Sequence, residues 1–187
     1  MNSFYSREEL EAFGFASLGE DVMLSRKCSI YGASRISIGN HVRIDDFCIL
    51  SGSITIGNYV HIAAYVALFA GDAGVELDDF SGISSRCVVY AQSDDYKGNA
   101  LTNPTVPDEF RAVYGSKVHI GRHVVIGTGS TILPGVTLGD GSSFGAMTLI
   151  NKNAEPFSIY TGIPMQKRAD RSKKILELEA ELLGCPS

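Results

Sequence analysis

The sequence predicts an all-β fold: a left-handed parallel β-helix of the hexapeptide-repeat type, with short N-terminal and C-terminal helices. Three observations carry this. Aliphatic residues recur every six positions along most of the chain, a small or β-branched residue stands four places after most of them, and every break in the period falls at one edge of the implied coil. A period of six fits neither a helix nor a simple alternating strand. It fits a prism of three flat faces, six residues each, with the aliphatic and small residues inside and parallel hydrogen bonds joining coils ~4.8 Å apart.

The elements follow in chain order within a single domain, 1–187. Ser6-Arg-Glu-Glu9 has the form of a capping box and opens a short helix. The prism is expected over residues 22–156, beginning with a partial coil at Leu24 and Ile30. Ile38, Ile56, Leu77, Ile120 and Leu138 open face one; Ile44, Ile62, Ile83, Ile126 and Phe144 open face two; Leu50, Leu68, Val89, Ile132 and Ile150 open face three. Val42, Cys48, Val60, Val66, Ser81, Ser130, Val136 and Thr148 are the small inward partners. With this register the extra residues, read as Ile36–Ser37, Gly74–Glu76 and a long loop over 95–118, all lie between face three and face one. Such an edge tolerates excursions and is where function is commonly built. Over 170–184, Ile175, Leu176, Leu178, Leu182 and Leu183 mark an amphipathic helix from Ser172 that ends at Gly184 and is expected to cover the open end of the coil.

Composition narrows the function. The net charge of −5 offers no basic field to nucleic acid or an anionic membrane, and no apolar run is long enough to span a bilayer. The acidic N-terminal stretch lacks the apolar segment of a signal peptide, so a cytoplasmic protein is expected. Cys28, Cys48 and Cys87 share one inward position of the repeat and read as core residues rather than metal ligands or disulfides. Cys185 stands in a short tail.

Ionisable residues gather at the interrupted edge. Asp94 and Asp95 end face three, Glu76 and Asp72 flank the same corner one coil below, and His119 re-enters the coil above. Carboxylates this close are expected to raise one another's pKa. Tyr96 and the rest of the loop, with Asn103-Pro104, Val106-Pro107 and Tyr114, are placed to lid an acceptor site.

The segments IGNHVRI, IGRHVVIGTGSTILPGVTLGDGSSFGAMTLINKN and YTGIPMQKR resemble the hexapeptide acyltransferases, in particular the galactoside, maltose and xenobiotic acetyltransferases and the sugar-nucleotide N-acyltransferases. The resemblance covers about residues 22–170. It implies a homotrimer with sites between subunits and coenzyme A in the groove between two coils. Carried onto matching positions, it makes Thr128, Gly145, Ala146, Asn151 and Lys152 coenzyme contacts, with Lys167 and Arg168 candidates for the 3′-phosphate. Small residues let backbone N–H groups approach a thin pantetheine arm, and cations pair with phosphate oxygens. Asp72, Ser84, Asp95 and Tyr96 are the candidate acceptor-binding residues. The xenobiotic branch keeps a catalytic histidine where this chain has Asp94.

That departure points to the acceptor. A hydroxyl nucleophile needs a strong base during attack, whereas a neutral amine attacks unaided and sheds its proton afterwards, for which a carboxylate suffices. The expected function is therefore N-acylation of an amino sugar, nucleotide-linked and destined for a surface glycan such as O-antigen, with acetyl-coenzyme A or another acyl-coenzyme A as donor and no metal. Asp94 is the expected proton acceptor and Glu76 its neighbour. The alternatives are O-acetylation with His119 as base, a non-catalytic β-helix scaffold, and a zinc hydratase on the same coil, which needs three converging histidines.

Overall fold

The computed structural model describes residues 3–184, so Cys185 lies outside the described part of the chain. Three parallel ladders form the prism, in the register that the aliphatic period predicts. On face one Leu18, Ile38, Ile56, Leu77, Ile120 and Leu138 stack in turn. On face two the stack is Leu24, Ile44, Ile62, Ile83, Ile126 and Phe144. On face three it is Ile30, Leu50, Leu68, Val89, Ile132 and Ile150. From Ile38 onward all of these are buried, as are the small partners from Val42 to Thr148. Each aliphatic side chain withdrawn from water contributes about 1.5–3 kcal/mol, so the column is the fold's main stabilising element. The thiols of Cys48 and Cys87 point into this column and donate to the carbonyls of Ala63 and Gly127; all three described cysteines are free.

Two corners are sharp and one is not. At the corner from face one to face two, His41, Tyr59, Phe80 and His123 all adopt positive φ. Outside glycine that conformation is strained. Here the rings stack on one another at 4.6, 4.7 and 5.1 Å, because the rise between coils nearly equals the spacing of stacked rings. At the third corner the chain runs straight on, as strands Ile49–Ile56 and Ala67–Leu77.

That continuity relocates the interruptions. Ile36 is buried and pairs with Ile54, so the first extra residues form the turn Ala33–Arg35 rather than Ile36–Ser37. Val75 and Glu76 sit in register on Ile54 and Thr55, so the second insertion falls within 70–74. Spacing between aliphatic residues counts inserted residues without locating them. The long loop has a sheet base: Gln92–Asp94 pairs antiparallel with Val113–Gly115. The coil resumes at Val118, which pairs with Val75.

The ends also differ from expectation. Helix α1 (Arg7–Ala12) has the predicted capping box and buries Leu10, but the prism starts already at Ser17–Leu18. Helix α2 (Lys174–Leu182) does not cover the open end. It lies along the first corner, where Glu179 takes hydrogen bonds from Arg122 and from His123 Nε2, which lies 2.5 Å away. Strand Gln166–Asp170 instead covers the face-two edge of that end, pairing antiparallel with Ser158–Thr161. A helix has no free backbone groups to offer a strand edge, and a strand does. Among the described residues no helix is long and apolar enough to cross a membrane.

Candidate active site

The long loop forms an arm, rooted in the paired strands Gln92–Asp94 and Val113–Gly115, that stands on the coil below it. Gln92 packs over Gly71, where a Cβ would fall 1.8 Å from the Gln92 amide oxygen, and the positive φ of 52° at Gly71 favours glycine at the base of the arm. Asp94 closes the first base strand opposite Val113. Its carboxylate is half-buried and loosely held: Arg111 Nη2 stands 3.9 Å from one oxygen, and the Asn103 N–H donates to the other at 3.4 Å. It opens on a concavity of about 500 Å³ lined by Tyr90, Gln92, Ser93, Tyr96, Leu133 and Pro134. A carboxylate with free lone pairs at the mouth of such a groove can accept a proton from, or pair with, a cationic group.

Asp95, next in the chain, does different work. Its oxygens accept the N–H groups of Lys97, Asn99 and Ala100 at 2.8, 2.5 and 3.0 Å. These bonds hold its carboxyl below the usual range and fold the start of the arm. Tyr96 lines the groove and is almost fully exposed.

Glu76, Asp72 and His119 do not join Asp94. Glu76 and His119 lie next to each other on face one, in register. Glu76 is ion-paired to Lys117, which holds its carboxyl below the usual range, opposite to the mutual raising expected of crowded carboxylates. His119 Nε2 lies 2.8 Å from Asp78. Asp72 is exposed and bonded to Arg35 at 2.5 Å. Glu76 and Asp94 are eighteen residues apart, but the chain leaves the coil at Gln92 to pair with Val113–Gly115, so the residue in register with Glu76 one coil on is His119 and not Asp94. Three histidines do not converge among the described residues: His41, His61, His119 and His123 pair with Asp21, Asp45, Asp78 and Glu179.

Thr128, Gly145 and Ala146 gather at a different corner, between faces two and three, whereas Asn151 and Lys152 follow Ile150 at the end of face three. Ser84, Gly127 and Gly145 follow the inward residues Ile83, Ile126 and Phe144 of successive coils, and Ser85, Thr128 and Ala146 come next. A Cβ on Gly127 would lie 2.5 Å from the Ala146 nitrogen, so glycine sets this close approach. Thr128 Oγ1 donates to the Ser85 carbonyl at 2.6 Å, and the Met147 N–H to the Thr128 carbonyl at 2.8 Å. The amides of Thr128 and Ala146 have no partner among the described residues. The Gly145 amide is already bonded to the Tyr160 carbonyl at 2.8 Å. Ala146, Asn151 and Lys152 are exposed. Arg168 Nε donates to Thr161 Oγ1 at 2.8 Å, at the top of the same corner. Lys167 is tied to Glu155 and Asp170, both at 2.9 Å, and these carboxylates raise its pKa. Of the two phosphate candidates Arg168 is the freer.

Arg111, Tyr90 and the Leu133-Pro134 wall were not marked by the sequence. Arg111 is brought to Asp94 by hairpin pairing across the arm, which leaves no local periodic signal.

The model described as bacterial transferase hexapeptide (six repeats) matches residues 35–70 and 117–152. The dTDP-4-amino-4,6-dideoxy-D-glucose acyltransferase of Escherichia coli is 45% identical over 175 residues, 92% of this chain and 91% of that protein. AntD, an N-acyltransferase from Bacillus cereus, superposes with a TM-score of 0.96 at 52% identity, over 98% of this chain and 99% of AntD; its solved structures include complexes with dTDP and coenzyme A, with dTDP-4-amino-4,6-dideoxyglucose and coenzyme A, and with dTDP and 3-hydroxybutyryl-CoA. A maltose O-acetyltransferase from Clostridium difficile, 20% identical with a TM-score of 0.57, shares the fold. The repeat, the three-faced prism and a relative matched along nearly its whole length together make this chain a member of the hexapeptide-repeat acyltransferase family.

Proposed function

We propose that this enzyme transfers an acyl group from an acyl-coenzyme A to the 4-amino group of a dTDP-linked 4-amino-4,6-dideoxyglucose, with Asp94 as proton acceptor. The observation that carries the reading is the Asp94 carboxylate, loosely held at the mouth of its groove with no histidine among the lining residues. The E. coli relative is named for that acceptor, and AntD has been solved with it bound. AntD variants altered at an aspartate numbered 94 and a serine numbered 84 have also been solved, and Asp94 and Ser84 carry those numbers here in chains aligned along almost their full length.

In the proposed reaction the amine nitrogen attacks the thioester carbonyl, forming the C–N bond and placing charge on the oxygen. Backbone N–H groups are the natural donors to that oxyanion. Asp94 takes the proton that the nitrogen sheds, the C–S bond breaks, and the leaving sulfur receives the proton as the thiol. The pantetheine arm follows the small-residue corner of Thr128 and Ala146, with Arg168 at the phosphate end and Ser84 nearer the reacting atoms. A cytoplasmic location and a product used in surface glycan assembly complete the reading.

The two halves of this site lie on different corners. Thr128 and Pro134 stand at opposite ends of the face-three rung that carries strand Thr131–Ile132, six residues apart and at most about 20 Å. A single chain does not bring both to one reacting centre, so we place the site between copies in a homotrimer, Asp94 of one facing the small-residue corner of the next. Light scattering in dilute solution is expected to give about three times the 20.1 kDa chain mass. A monomer that turns over at the full rate would remove the shared site.

Incubation with dTDP-4-amino-4,6-dideoxyglucose and acetyl- or 3-hydroxybutyryl-coenzyme A, read by mass spectrometry, tests the activity. The expected product gains one acyl group on nitrogen and resists mild alkali. Acylation of galactosides or maltose, with none of the amino sugar, would replace this reading by O-acetylation.

A further inference from the structure

We propose that Arg111 is a positioning residue: it holds the Asp94 carboxylate in its working orientation and so couples the arm to the chemistry. The inference rests on Asp94 as proton acceptor. Both Asp94 oxygens face groups of the arm, Oδ1 the Arg111 guanidinium at 3.9 Å and Oδ2 the Asn103 N–H at 3.4 Å. Arg111 stands two residues before Val113, the backbone partner of Asp94, so the base of the arm fixes its distance to the carboxylate.

The guanidinium is unusual for an exposed arm. Its side chain is only 17% exposed, whereas Asp108, which accepts its one side-chain hydrogen bond among the described residues at 3.0 Å, is 96% exposed. Its Nε is buried without a hydrogen-bond partner among the described residues. Burying a guanidinium with an unfilled donor is costly, and such a group calls for an explanation beyond stability. Orientation of Asp94 supplies one. At 3.9 Å the cation restrains the carboxylate without consuming its lone pairs, in contrast to Asp95, whose two oxygens take three backbone N–H bonds from the turn that follows. Leu101 bridges to Arg111 and its N–H donates to the Phe110 carbonyl at 2.8 Å, so the outer arm is fastened to the same segment. A shift of the arm would be carried to the carboxylate through Arg111.

The test compares Arg111→Met and Arg111→Lys, each in the natural enzyme and in Asp94→Asn, with kcat and both KM values measured and thermal unfolding recorded. Arg111→Met is expected to lower kcat about 10-fold, as misorientation of a reacting group does, with KM for the acyl-coenzyme A unchanged. Arg111→Lys keeps the charge and is expected to recover part of the loss. In Asp94→Asn, Arg111→Met is expected to change kcat no further. Asp108→Ala, on the exposed surface, removes the acceptor that holds the guanidinium without threatening the fold and is expected to lower kcat by a smaller factor. Equal losses from Arg111→Met in both backgrounds, or a loss of thermal stability with kcat intact, would overturn the proposal alone. An Asp94→Asn enzyme at the natural rate would overturn the proton-acceptor role and this inference with it.

Discussion

Asp94→Asn is expected to lower turnover by about 10²–10⁴ while acyl-coenzyme A binding is retained. Asparagine keeps the size of the side chain and can still accept the Asn103 N–H, so the arm should stay in place. What is lost is the ability to take a proton. The measurement is steady-state turnover under saturating donor, beside a calorimetric titration of coenzyme A. Two controls sharpen it. Glu76→Gln breaks the pair with Lys117, and His119→Asn the contact with Asp78, both on face one and outside the lining of the Asp94 groove. Each is expected to leave turnover near that of the natural enzyme. An inactive His119→Asn beside a normal Asp94→Asn would hand the base to the imidazole and restore the hydroxyl-acceptor alternative.

Ala146→Trp is expected to weaken acyl-coenzyme A binding about 100-fold or more, roughly 2.7 kcal/mol, with the fold intact. Ala146 is exposed, so an indole there meets solvent rather than the core. It stands at the corner where the Thr128 and Ala146 amides are unengaged, and a bulky ring denies a thin ligand close approach to them. Titration of coenzyme A and a thermal unfolding curve separate the two effects. Unchanged affinity would move the pantetheine arm off this corner. A lowered melting temperature with unchanged affinity would make Ala146 a packing residue only.

Much of the fold was legible because the repeat is a local property of the chain. The aliphatic and small inward positions of the six-residue period from Ile38 to Ile150 could be named from spacing, since each residue meets its counterpart one coil away; Ile54, Val75 and Val118, buried where strands run through the third corner, could not. The capping box of Ser6 and Glu9 was readable for the same reason: its two hydrogen bonds close within four residues. Of the candidate site, Asp94 was legible through the residue type that resembling enzymes keep at its place, and Thr128, Gly145 and Ala146 through the motifs around them. The company that each residue keeps was not.

The sequence by itself determined the prism, its register and the corner that carries the arm, because a six-residue period leaves one way to bury a continuous aliphatic column. Only the tertiary structure decided that Asp95 ties a turn while Asp94 is loosely held, that Glu76 answers to Lys117, that Arg111 reaches Asp94, and that a strand rather than helix α2 covers the face-two edge of the open end. The physical reason is the same in each case. Insertions at the third corner break the count of residues per coil, so partners there are set by where the arm folds back and which cation arrives, and no spacing along the chain encodes either.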